Sequence, residues 1–159
     1  MNTTQTTIKI ILDRWDGSIK NVDSLLDSIS DEQLQKETSP GKNRGIYLLG
    51  HLIAVHDSML PLLDFGAKKY PELSKIFIES PDKVIGEIPS AKELRNLWNE
   101  QKVDLKQKME SLKPEDWFER HTSVSAEDFA KEPHRNKLNI VLTRTTHMAY
   151  HTGQLVYLK

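Results

Sequence analysis

The sequence predicts an all-α protein, a four-helix bundle with two long connectors. Apolar residues recur at spacings of three and four in four separate stretches. No stretch alternates in the manner of a strand, and most prolines and glycines fall between the stretches.

In the first stretch Ile8, Ile11, Trp15, Ile19, Val22, Leu26 and Ile29 form one seam, the pattern of helices that cross at about 20°. Ser30 and Gln33 make a capping box that opens a short further turn. The second helix begins near Gly45 and turns Leu48, Leu52, Val55, Met59 and Leu62 to one broad side. Pro61 should kink or end it, because a proline ring clashes with the carbonyl four residues back. From Gly66 to Pro89 the chain carries Pro71, Pro81, Gly86 and Pro89, which marks a connector with room for one short helix. Ser90 and Glu93 cap the third helix, whose apolar positions are Leu94, Leu97, Trp98, Leu105, Met109 and Leu112. A second connector, broken by Pro114 and Pro133, runs from Lys113 to Asn136. The last helix covers Lys137 to Leu158. Connectors longer than about 15 residues are uncommon in simple bundles and often carry function. The first one is long enough to cross the bundle and leave the second and third helices parallel. With no internal repeat or composition break, residues 1–159 read as a single domain.

A chain of 159 residues buries roughly 70% of the surface its unfolded form exposes, so a core forms without covalent staples. There is no cysteine, which removes disulfides, thiolate metal sites and a cysteine nucleophile together. Any metal must be held by His, Asp or Glu. Lys plus Arg number 22 against 23 Asp plus Glu, a formal charge of −1. That balance argues against nucleic acid or an anionic membrane as partner. The N-terminal MNTTQTTIKIILDRW lacks the features of a signal peptide. YLLGHLIAV, the most apolar stretch, is too short to span a bilayer. A cytoplasmic protein is expected.

The histidines are the informative residues. His147 and His151 stand four apart on the last helix, so their side chains share a face and can share one ion. Ile140, Thr143, Arg144, Leu155 and Leu158 fall on that same inward side. An HxxxH pair alone is more often a pair of core histidines than a ligand pair. The segment reads HMAYH and lacks the glutamate of the HExxH metalloproteases. A third ligand can come from the second helix, as His51 or His56. His51 lies about 9 Å into its helix and His151 about 12 Å from the end of its own. Were these helices antiparallel neighbours, the two levels would nearly coincide, giving a His51–His147–His151 triad. His56 falls deeper, at the core edge or a helix interface, and His121 and His134 belong on solvated connector surface. Arg144, one turn before His147, is suited to clamp a carboxylate of a substrate or cofactor; a structural ion pair is its commoner fate. Gln154 can orient a ligand or pack as a satisfied amide. Gly153 suits a close helix approach, and Tyr47 and Tyr150 either line the site or pack at helix contacts.

The combination of GHLIAVH with HMAYHTGQ resembles the DinB-like (DinB/YfiT) family of metal-binding bundles. The likeness covers nearly the whole chain: an opening helix with an aromatic, Trp15, then LLGHL on the second helix and HTGQL on the last. It implies an up-down-down-up bundle in which His51, His147 and His151 hold a divalent ion, zinc or nickel. Two departures stand out: Thr152 follows the last histidine where relatives often carry arginine, and the sequence ends five residues after Gln154. Family members of known activity join a low-molecular-weight thiol to the metal, as in bacillithiol S-transferases and mycothiol-dependent maleylpyruvate isomerase, and many pair as homodimers. The resemblance therefore implies a metal-dependent thiol S-transferase in which a metal-bound thiolate attacks a small electrophile. A hydrolase using metal-bound water, or a non-enzymatic metal- or ligand-binding stress-response protein, fits the same ligands. No acid–base side chain is evident beside them.

Overall fold

Three of the four longest helices begin where capping side chains satisfy first-turn backbone N–H groups. The computed structural model describes residues 2–159 and leaves Met1 outside the description. Its eight α-helices are α1 (Thr3–Asp27), α2 (Asp31–Leu34), α3 (Gly45–Asp57), α4 (Met59–Leu62), α5 (Glu72–Phe77), α6 (Ala91–Glu110), α7 (Ala126–Lys131) and α8 (Lys137–Leu155). Short 3₁₀ turns occupy Asp116–Phe118 and Val156–Leu158. Two isolated bridges, Glu37–Arg44 and Arg120–Asn136, are the only β pairing among the described residues. The protein is all-α.

Asn2 with Gln5, Ser30 with Gln33 and Ser90 with Glu93 form capping boxes for α1, α2 and α6. Asn136 caps α8 by accepting from Asn139 N. Such caps stabilise a helix by about 1 kcal/mol each. The break between α3 and α4 follows from Pro61. Its ring excludes the carbonyl of Asp57, so the second helical stretch stops there and restarts after Ser58, with the proline in a first turn that tolerates it. The connector after Lys113 is more ordered than its sequence suggests: Ser125 accepts from Asp128 N and starts α7.

One apolar cluster runs from Ile8 to Leu158 and includes the buried Trp15, Trp98 and Trp117. Helix α1 packs on α8, and α3 packs on α5, α6 and α8. Asp23 pairs with Lys102 at 2.8 Å and Asp16 with Lys106 at 2.7 Å, so α1 and α6 run in opposite directions. The half-buried first pair and the exposed second pair set register more than stability. Asp57, 1% exposed at the end of α3, accepts from the backbone N–H groups of Lys69 and Tyr70 at 3.0 and 2.9 Å. That clamp folds the first connector back, so α5 lies along α3. Gly50 completes the fit, since a Cβ there would collide with the Phe77 ring. Among the described residues no helix is long and apolar enough to cross a membrane.

Candidate metal centre

Helix α3 contributes His51 and α8 contributes His147 and His151, and one ligand nitrogen from each lies within 4.8 Å of the others. His147 Nε2 stands 3.1 Å from His51 Nε2 and 3.0 Å from His151 Nε2. The opposite ring nitrogens explain why the Nε2 atoms face inward. His51 Nδ1 donates to the carbonyl of Phe77 at 2.6 Å, and His151 Nδ1 donates to Gln154 Oε1 at 2.6 Å. A neutral imidazole that donates through Nδ1 carries a lone pair on Nε2. Only His147 can therefore bring a proton into the centre, and at least two lone pairs converge there without one.

That donor set fits a cation. Ligand bonds of about 2.0–2.1 Å in a tetrahedral site place nitrogens roughly 3.3 Å apart, a few tenths of an ångström beyond the spacing seen. Burial, followed by the charges of His151, His51 and Arg144, pushes His147 down to about 4. Burial also lowers His151, partly offset by its bond to Gln154. Both rings are thus unprotonated at neutral pH, the form that ligates. Among the described residues no carboxylate joins the cluster. Three neutral ligands leave the charge of a divalent ion uncompensated and at least one position open, the arrangement of catalytic zinc sites.

Tyr47 stacks on His51, with ring centroids 6.3 Å apart and planes 11° apart, and its hydroxyl donates to the carbonyl of Ser80 at 2.7 Å. Tyr150, 65% exposed, meets the His151 ring edge-on at 5.1 Å. The two tyrosines flank the cluster.

Several sequence expectations change. Arg144 is half-buried and its Nε makes no hydrogen bond; no carboxylate moves its pKa, which burial alone lowers. The expected structural ion pair is not formed. Gly153 faces open space and supports no close helix approach. His56 is 1% exposed between the rings of Trp15 on α1 and Trp98 on α6, so of its two expected places it takes the helix interface and not the core edge. His121 is buried against Ser123 Oγ at 2.9 Å, not solvated. The Phe77 carbonyl was missed altogether, because a backbone acceptor leaves no mark in sequence. A cavity of about 340 Å³ lined by Ile8, Leu12, Trp15, Met109 and Trp117 lies apart from the three histidines.

Comparison with curated proteins finds no match. Among solved structures, the chain is similar to a conserved protein from Enterococcus faecalis, with 14% identity and a TM-score of 0.65 over 99% of this chain and 95% of that one. At that identity the likeness concerns the fold. The model of the DinB superfamily matches residues 14–155. That span holds all three clustered histidines together with α3, all of α8 and the larger part of α1. The chain belongs to the DinB superfamily, which is metal-binding.

Proposed function

We propose that this protein is a divalent-metal-dependent S-transferase that joins a low-molecular-weight thiol to a small electrophile. The observation that carries the reading is the convergence of three Nε2 atoms, at 3.0 and 3.1 Å, with fewer protons than lone pairs between them. A divalent ion such as zinc or nickel, held by His51, His147 and His151, supplies Lewis acidity and keeps a bound thiol deprotonated at neutral pH. The chain has no cysteine, so the sulfur nucleophile comes from outside it.

The remaining roles belong to the protein. Phe77 and Gln154 fix two ring orientations through the Nδ1 atoms. Tyr47 and Tyr150 wall the cluster on either side, and Arg144 and Gln154 stand next to it as ligand-contacting groups. In the same reading the whole chain is one domain, an up-down-down-up bundle of α1, α3, α6 and α8. The opposed directions of α1 and α6 support that topology. So does the bond from Gln33 Nε2 to the Leu158 carbonyl, which puts the segment after α1 beside the end of α8. A cytoplasmic location agrees with the chemistry, since small thiols stay reduced there.

Metal analysis of the purified protein, reloaded with zinc or nickel, should give one ion per chain, and His151→Ala should lose it. Conjugate formation across an electrophile panel should then require added thiol. Substoichiometric metal in the reloaded wild type, or equal turnover without thiol, would reject the proposal.

A further inference from the structure

Next to the histidine cluster the interior holds polar atoms that the fold leaves unpaired. Four such buried atoms are His56 Nε2, Gln101 Oε1, Arg144 Nε and His147 Nδ1. Interiors tolerate few atoms of this kind, and each calls for a partner that the chain does not supply. Two of them, Arg144 Nε and His147 Nδ1, stand one turn apart on one face of α8. Arg144 always offers an Nε–H. His147 offers an Nδ1–H when its Nε2 keeps a lone pair for an ion, and carries its proton on Nε2 when the cluster holds none.

Charge narrows the missing acceptor. Arg144 is half-buried with its Nε shut off from solvent, and among the described residues no carboxylate opposes its positive charge. The histidine cluster adds no negative charge of its own. A site with this excess of positive charge favours an anion over water. Two N–H donors one turn apart, one from a guanidinium, suit the two oxygens of a carboxylate better than a spherical ion.

We propose that Arg144, together with the Nδ1–H of His147, is the receptor for a carboxylate carried by the small molecule on which this protein acts. The proposal rests on the transferase reading only in calling that molecule the thiol or the electrophile; the Arg144 half of the anion site needs no metal. It also gives His147 the outer partner that Phe77 gives His51 and Gln154 gives His151, because metal-ligating histidines are oriented through the nitrogen that does not ligate. Binding of the carboxylate is thereby coupled to the ligand geometry of the cluster.

The test follows the Arg144 Nε–H resonance of the full chain by NMR, in chelator-treated and in zinc-reloaded protein, during titration with propionate, propionamide or chloride. Propionate should shift it saturably in both states, and propionamide should leave it in place. An equal response to chloride would reduce the site to a simple counter-ion position, and no response to propionate would leave only a bridging water; either overturns the proposal. Calorimetry adds a second readout: Arg144→Met should weaken propionate binding by about tenfold or more, the scale of one charge-assisted hydrogen bond, with zinc content unchanged. Arg144→Lys, which keeps charge but loses the fork, should fall between and serves if the methionine variant fails to fold. Propionate affinity that survives both substitutions rejects the receptor. A wild type that binds no zinc yet binds propionate fails the metal reading alone; full zinc content with silent propionate fails this one alone.

Discussion

His51 Nδ1 donates to the backbone carbonyl of Phe77, 26 residues further along the chain, at 2.6 Å. This one bond ties the connector to the histidine cluster. It exists because Gly50, the residue before His51, has no Cβ to hold the Phe77 ring off α3.

Gly50→Ala should therefore act at two levels. Overpacking against the ring costs about 1–3 kcal/mol of stability. Displacement of the Phe77 carbonyl frees the His51 ring to rotate, and zinc affinity should fall about 10- to 100-fold. Denaturant unfolding reads the first effect and a chelator competition titration the second. Unchanged zinc affinity in a destabilised variant would separate the two and defeat the coupling.

Gln154 performs for His151 what Phe77 performs for His51, at the same 2.6 Å, but from a half-exposed position on α8. Gln154→Leu should thus lower zinc affinity by about tenfold while leaving the apo protein within about 0.5 kcal/mol of wild type. Gln154→Glu keeps an acceptor and adds negative charge, so it should match or exceed wild-type affinity. A leucine variant that binds zinc as wild type does would show the amide to be incidental.

The bearing of the sequence on this site is uneven, and the reasons are physical. Helices α1, α6 and α8 declare themselves because one face is buried and the other wet. In α3 nearly every residue from Ile46 to Asp57 is buried, so its apolar pattern marks a helix without marking which face meets which neighbour. The spacing of His147 and His151 is a local property and is readable as such. Pairing with His51 depends on how α3 lies against α8; a depth argument reaches it only by supposing the helices to be antiparallel neighbours. What sequence could not carry is the set of partners: a backbone carbonyl at Phe77, the burial of His121, and the lack of any counter-ion at Arg144 are consequences of tertiary placement.

Asp57 extends the same chain of cause to the fold. Its buried carboxylate accepts from two backbone N–H groups of the connector. Asp57→Ala leaves both donors unmatched and should destabilise the protein by about 1–3 kcal/mol. Because this clamp positions α5, the variant should also be cut sooner by protease between residues 66 and 80 and bind zinc less tightly. Asp57→Asn, with one acceptor oxygen left, should lie between. Stability loss without earlier cleavage there would place the role of Asp57 within α3 alone.

His56 makes acid stability measurable apart from the metal. Burial first, then electrostatic repulsion by His147, Arg144 and His51, pushes it from 6.5 down to about 3. Between those values the unfolded chain binds a proton that the folded protein refuses. Its contribution is therefore complete above pH 6.5 and is lost as pH falls toward 3, by up to about 1.4 kcal/mol per pH unit. His56→Phe keeps an aromatic ring between Trp15 and Trp98 and removes the titrating group. Unfolding free energies measured in chelator should then decline less steeply in the variant than in wild type between about pH 6 and 4, by roughly that slope. Parallel profiles would mean that the folded protein accepts the proton on His56, through an opening of the core that lets water reach its ring.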